Sequence, residues 1–159
     1  MLAIKTNYWS KFPDSRRVVS ISRREAIGNS AFAIADVFQM DTVADYNPVV
    51  LEEKEEKGVP CYLVELSAKH DDAPYHRILY TVRKKDHYPV IAEFYGVSGK
   101  LLKTMTVAKE DKIAGRLRPR ILMMADNITE GKFSTWTTLK VQKKSIPENV
   151  FTKSYLKGR

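Results

Sequence analysis

Hydrophobic and polar positions alternate with a period of two along most of the chain, most regularly from Tyr75 to Thr106. Successive side chains of an extended segment point to opposite faces, so Ile78, Tyr80 and Val82 share one side. Val90, Ala92 and Phe94 lie opposite them across a first turn. Around Val97-Ser98-Gly99 the chain reverses again, with Gly99 where a hairpin wants a residue at positive φ. Leu102 then returns to the face that carries Phe94. The pattern predicts a β-meander with one continuous apolar face. Its other face is mixed, because Leu79, Ile91, Tyr95, Leu101 and Met105 punctuate Arg77, Glu93 and Lys103.

Strand and turn signals continue on both sides of this run. Leu2 to Trp9 alternates weakly and opens without a cap, as though entering in mid-sheet. Phe12-Pro13-Asp14-Ser15 is a turn cluster, and Arg17 to Ser22 reads as a strand. The segment from Ser22 to Asp41 is the one part with helical character: Ser30 caps a short helix carrying Phe32, Ala33, Val37 and Phe38, and Gly28-Asn29 prevents a longer one. Asp41 to Pro48 reads as a polar linker. Beyond it, PVVLEEKEE turns through Lys57-Gly58-Val59-Pro60 into CYLVELSA, which extends the apolar face through Tyr62, Val64 and Leu66. Lys112 to Gly115 and Thr129 to Lys132 are further turns, and Pro119 in RLRPRILMMA implies an edge, a bulge or a non-bonded site. The tail has one short capped turn and an apolar Phe151, Tyr155 and Leu156 set that plugs an end of the sheet. Strands every ten residues or so, joined locally, predict an antiparallel up-and-down sheet.

A length of 159 residues suits one domain, and 43% apolar with 29% charged residues is a globular composition. The net charge of +8 comes from 27 Lys and Arg against 19 Asp and Glu. The basic residues stand singly or in pairs along the sequence: Arg16-Arg17, Arg23-Arg24, Lys84-Lys85, Arg116/Arg118/Arg120 and Lys143-Lys144. That spread fits a solvated surface, with a general attraction to membrane headgroups as the functional alternative. Cys61 is the single cysteine, so no intrachain disulfide forms, and it reads as a small buried hydrophobe. No apolar run reaches the ~18 to 20 residues of a membrane-crossing helix. The amino end has none of the features of a signal peptide.

Candidate chemistry is sparse. His70, Asp71 and Asp72 are adjacent in one loop and cannot all turn onto one ion, and neither His76 nor His87 has ligand spacing to them. The turn reading before Pro74 is preferred, and no metal or cofactor is expected. No Ser or Cys sits in a nucleophile elbow, and Gly96-Val97-Ser98-Gly99 is a hairpin rather than a phosphate loop. The roles of an active site have no candidates, so no enzyme is expected. Nucleic-acid binding would need basic residues interleaved with exposed aromatics, such as Trp9, Tyr8 and Arg16 or Trp136 with Lys140. Strand aromatics more often pack into a core, so no nucleic acid is expected. What remains is a wide apolar sheet with little helix to cover it. It closes on itself, pairs with another chain or leaves a groove for an apolar ligand.

GVPCYLVELSAK, APYHRILYTVRKKDHYPVIAEFYGVSGKLLKTMT, KIAGRLRPRILMMADNITEGKFSTWTTLKVQ and IPENVFTKSYL, in that order, resemble the bacterial outer-membrane lipoprotein-sorting protein family. That family is related in fold to the carrier LolA and its receptor LolB. The similarity runs from about Arg17 to Leu156, and AFAIADVF resembles the segment that precedes the family's first hairpin. The resemblance implies a mainly β fold: a curved antiparallel sheet, or half β-barrel, with a short helix, as a single domain over residues 1–159. It also implies a chain lacking the family's N-terminal helix and first strands, in the periplasm or at the outer membrane. The absence of a signal peptide leaves the cytoplasm open. By position, Tyr62, Val64, Ile78, Tyr80, Val82, Val90, Ala92, Phe94 and Leu102 would line the concavity that holds a lipoprotein acyl chain or lipid. The competing expectation is an interaction module that pairs through the open sheet with itself or with an envelope partner.

Overall fold

Seven strands in strict sequence order make the larger of two antiparallel sheets in the computed structural model, which describes residues 1–4, 7–12, 17–38, 40–113, 115–142 and 144–158. They are β4 (Tyr46–Glu56), β5 (Val59–Ala68), β6 (Arg77–Arg83), β7 (Pro89–Tyr95), β8 (Leu101–Ile113), β9 (Arg116–Asp126) and β10 (Phe133–Thr137). A three-stranded sheet holds β1 (Leu2–Ile4), β2 (Asn7–Lys11) and β3 (Val18–Ile21). The chain divides into two compact units. One comprises residues 40–141, and the other joins 1–39 to 142–159.

In the larger unit every strand pairs with its neighbour in sequence, because each connection is short. Lys57 and Gly58 both adopt positive φ (51° and 78°) and close β4 onto β5 as a two-residue turn, tighter than the four-residue turn the sequence suggests. Gly99, at φ 76°, donates its N–H to the Gly96 carbonyl at 3.0 Å and reverses β7 into β8 as expected. The β8–β9 turn includes residue 114, which lies outside the described residues, as do 13–15 of the early turn cluster, Arg16 and Lys143. Register shifts interrupt the ladders beside Leu51, Val90, Leu102 and Ala108 and next to Pro119, where Glu110 is the partner. Such bulges bend strands and increase their twist.

Asp41 to Pro48 is not a linker. The Asp41 carboxylate accepts the Ala44 N–H at 3.0 Å and caps one helical turn, α2 (Thr42–Asp45), which leads directly into β4. The expected helix after Ser30 is also shorter and starts later: α1 is Ile34–Val37, following Ala33, whose N–H donates to Asp36 at 2.6 Å. Ser30 instead engages the Phe32 backbone.

The smaller unit buries Leu2, Tyr8 and the run Ala31 to Ala35, and the Tyr8 hydroxyl donates to the Phe38 carbonyl at 2.8 Å. Its β1 and β2 form a hairpin, Leu2 opposite Trp9, rather than one strand. A 3-10 turn (Glu148–Phe151) and α3 (Lys153–Gly158) complete it. Phe151 and Tyr155 remain exposed, so the tail's apolar set is only partly covered.

Candidate ligand-binding face

Residues directly opposite in an antiparallel ladder share a face, so register assigns each side chain of the larger sheet. One row runs across all seven strands: Val50, Val64, Tyr80, Ala92, Met105, Met124 and Ser134. Beside it, Leu66, Ile78, Phe94 and Lys103 form a second row, and Tyr62 opposes Val82 on the other flank. Val107, Leu122 and Trp136 continue that flank toward β10.

Seven of the nine residues singled out in the sequence therefore lie on one face: Tyr62, Val64, Ile78, Tyr80, Val82, Ala92 and Phe94. The other two do not follow the alternation. Thr81 opposes Ile91 and Val82 opposes Pro89, which makes Val90 the extra residue of a bulge. It lines, with Ile91, a hollow of about 200 Å³ whose other walls include Cys61, Arg83, Thr106 and Glu110. Cys61, Arg83, Ile91 and Thr106 belong to the opposite face by register. Leu102 is the extra residue of a second bulge, between Lys103 opposite Phe94 and Leu101 opposite Tyr95. Its side chain lies against Gly96, where a Cβ would stand 3.5 Å from Leu102 Cδ1. Parity accordingly changes in β8, and odd-numbered Lys103, Met105 and Val107 carry the face onward. A bulge moves every later side chain by one position, and alternation alone does not reveal where it falls.

Burial grades across the main row. Val50 on edge strand β4 is 59% exposed, Val64, Tyr80 and Met105 are half-buried, and Ala92 and Met124 are fully buried. One end is closed by the loop between β5 and β6, where the sequence suggested only a polar turn. Ala73, Pro74 and Tyr75 are buried there. The Tyr75 ring packs on Phe94 with centroids 4.5 Å apart, and its N–H donates to the Tyr46 hydroxyl at 3.1 Å. His70, considered as a ligand, pairs with the buried Asp45 at 3.2 Å and ties the loop to α2. Lys103 lies over the Tyr75 ring, 5.8 Å from its centre.

The opposite face mixes apolar side chains, Leu63, Leu79, Ile91 and Met123, with ion pairs. Arg77 bridges to Glu65 at 3.1 Å and stacks 4.2 Å over the Tyr95 ring. Burial, reinforced by Glu93, raises the Tyr95 phenol above its ordinary value. At the far end Arg83 forks between Glu110 (2.8 Å to each oxygen) and Asp86. Those hydrogen bonds hold Arg83 firmly charged and draw Asp86 below the usual carboxylate range. The Tyr88 hydroxyl is buried with no hydrogen-bond partner among the described residues, and burial together with Glu110 pushes its pKa up to about 12. Burial also works to raise Asp126, but the Ile128 and Thr129 N–H groups and Lys132 outweigh it and hold that carboxyl low. Among the described residues, no three His, Cys, Asp or Glu side chains converge as a metal site.

A graded apolar face on a bulged, up-and-down antiparallel sheet is the geometry to compare with known proteins. A family model described as "Uncharacterized protein" matches residues 1–158. The chain belongs to this family. No curated protein matches it. Among solved structures, a LolA superfamily protein from Nitrosomonas europaea is 28% identical and superposes with a TM-score of 0.84 over 95% of this chain and 68% of its own. A putative outer membrane lipoprotein-sorting protein domain from Vibrio parahaemolyticus is 26% identical, with a TM-score of 0.84 over 95% of this chain and 66% of that one. A DUF1329 family protein from Desulfovibrio piger shares the fold at 21% identity and a TM-score of 0.78, over 94% of this chain and 64% of its own. The chain thus spans about two-thirds of the length of the structures it matches.

The family member has the LolA-like fold that the sequence resemblance implied. Its apolar face includes Val107, Leu122 and Met124, which alternation did not single out, and Met105, which alternation assigned to the other face. In β9 the unbroken apolar run from Ile121 to Ala125 shows no period of two, and in β8 the extra residue Leu102 shifts the parity.

Proposed function

We propose that this protein binds a lipoprotein acyl chain or a lipid along the apolar row from Val64 to Met124, as a non-catalytic component of lipoprotein sorting in the cell envelope. The observation that carries the reading is the row itself: apolar across five strands, flanked by the Tyr75–Phe94 stack, and half-buried at Val64, Tyr80 and Met105. The fold shared with a lipoprotein-sorting domain supports it. Each methylene moved from water onto such a wall contributes about 0.8 kcal/mol, so affinity should rise steeply with chain length. Residues 1–159 act as one domain in this proposal, and no cofactor takes part.

The test is binding of fluorescent fatty acids of increasing length, with mass spectrometry of lipid retained by protein purified from cells. Tyr80→Glu and Met105→Lys place charges on half-buried wall positions and should weaken binding by at least tenfold. No retained lipid and no probe binding by the unsubstituted protein would sink the proposal.

One observation favours a second reading, an interaction module. Edge strand β4 exposes Val49, Val50 and Leu51 in succession, all about half exposed or more. An open strand with apolar side chains is a template for a second copy or an envelope partner. Light scattering of the protein and of Val50→Lys distinguishes it: a dimer lost on substitution favours the module, and a concentration-independent monomer removes self-pairing.

A further inference from the structure

The smaller unit holds almost all of the excess charge. Residues 1–39 and 142–159 contain eleven Lys and Arg against four Asp and Glu, whereas residues 40–141 contain sixteen against fifteen. Part of that excess converges. An open groove of about 640 Å³ is lined by Trp9, Arg17, Ser20, Lys153, Ser154 and Lys157. Two distant stretches build it, since α3 lays its lysines against β2. Lys153 Nζ stands 4.0 Å from the Trp9 ring centre, and Lys11 Nζ donates to the Lys157 carbonyl at 3.2 Å.

The same unit exposes large apolar side chains near these cations in sequence and structure. Val19 lines the groove, Phe12 follows Lys11, and Phe151 and Tyr155 flank Lys153; each is more than a third exposed. Clustered lysines and arginines with exposed aromatics match the boundary between anionic headgroups and acyl chains. Tryptophan is itself enriched at that depth. A nucleic acid is the poorer fit. Trp9, the one aromatic in the groove, has its face covered by Lys153, and stacking needs open aromatic faces. Exposed Phe12 and Phe151 also gain nothing from a phosphate backbone.

We infer that the smaller unit docks on anionic bilayers, with the Trp9–Lys153–Lys157 groove set against phosphate headgroups. The inference stands apart from acyl binding, because its surface and its test involve no residue of the larger sheet.

The experiment is co-flotation of the full chain with phosphatidylcholine vesicles, with and without phosphatidylglycerol, over a range of salt. Binding should require phosphatidylglycerol and fall as salt screens the surface. Each basic residue near such a surface is worth about fivefold, so Lys153→Glu with Lys157→Glu should weaken binding by about 25-fold or more. Circular dichroism verifies the fold of that variant, and the salt series on the unsubstituted protein tests the inference without it. Equal binding to neutral vesicles, indifference to both charge reversal and salt, or displacement by single-stranded DNA at lower charge concentration than by lipid would each overturn the inference.

Discussion

The two units solve different problems with similar strands. The larger sheet is nearly charge-neutral, and its polar groups are paired locally: Arg77 with Glu65, Arg83 with Glu110 and Asp86, Lys132 with Asp126. That pairing leaves little unbalanced charge beside its apolar face. The smaller unit has few strands, a modest core around Phe32 and Tyr8, and a surplus of cations. Where opposite charges balance, net attraction to any distant surface is weak; where one sign dominates, it extends over a Debye length. The comparison implies that burial dominates the properties of one unit and long-range charge those of the other.

Phe94→Ala is the strongest way to break that contrast. Phe94 is fully buried and stacks on Tyr75, so its loss should cost about 3–5 kcal/mol in urea unfolding. A cost below about 1 kcal/mol would mean that the closed end is not a core. Tyr46→Phe is next. It leaves the buried Tyr75 N–H without its acceptor and should cost about 1–3 kcal/mol. The two cation reversals in α3, by contrast, should cost no more than about 1 kcal/mol of stability, for the lost Lys153–Trp9 contact, while weakening vesicle binding about 25-fold.

Tyr88→Phe gives the smallest effect and the most specific pH signature. The phenol titrates at about 12 in the folded chain against an ordinary 10.0, so the folded state keeps its proton longer than the unfolded state does. Stability must then fall as pH rises from 10 toward 12. The phenylalanine variant should lose that contribution, and near neutral pH it should be as stable as the parent or more so, since it deletes a buried unpartnered hydroxyl. A substantial loss of stability near neutral pH would show that the hydroxyl has a partner.

The larger sheet was legible because its signals are local. Alternation placed Ile78, Tyr80, Ala92 and Phe94 together, and Gly99 marked its turn correctly. What alternation could not carry was the count of residues through a bulge, and Val90 and Leu102 are each the extra residue of one. Four-residue helices were also hard to read: α2 is only a turn long, and Asp41 capping Ala44 is its chief mark. The charge asymmetry was hidden for another reason. Arg17 and Lys153 are far apart in the sequence and become neighbours only when the two ends of the chain fold together.

That joining of ends has a consequence for the order of assembly. Each strand of the larger sheet finds its partner a short loop away, so loop-closure costs are small and the sheet can grow strand by strand as the chain is made. The smaller unit must wait, since its first 39 residues meet residues 142–159 only after all seven strands have been synthesised. During that interval β1–β3 lack α3, and the basic groove is half built. An interruption of synthesis between residues 142 and 152 would spare the apolar wall and remove both lysines of α3.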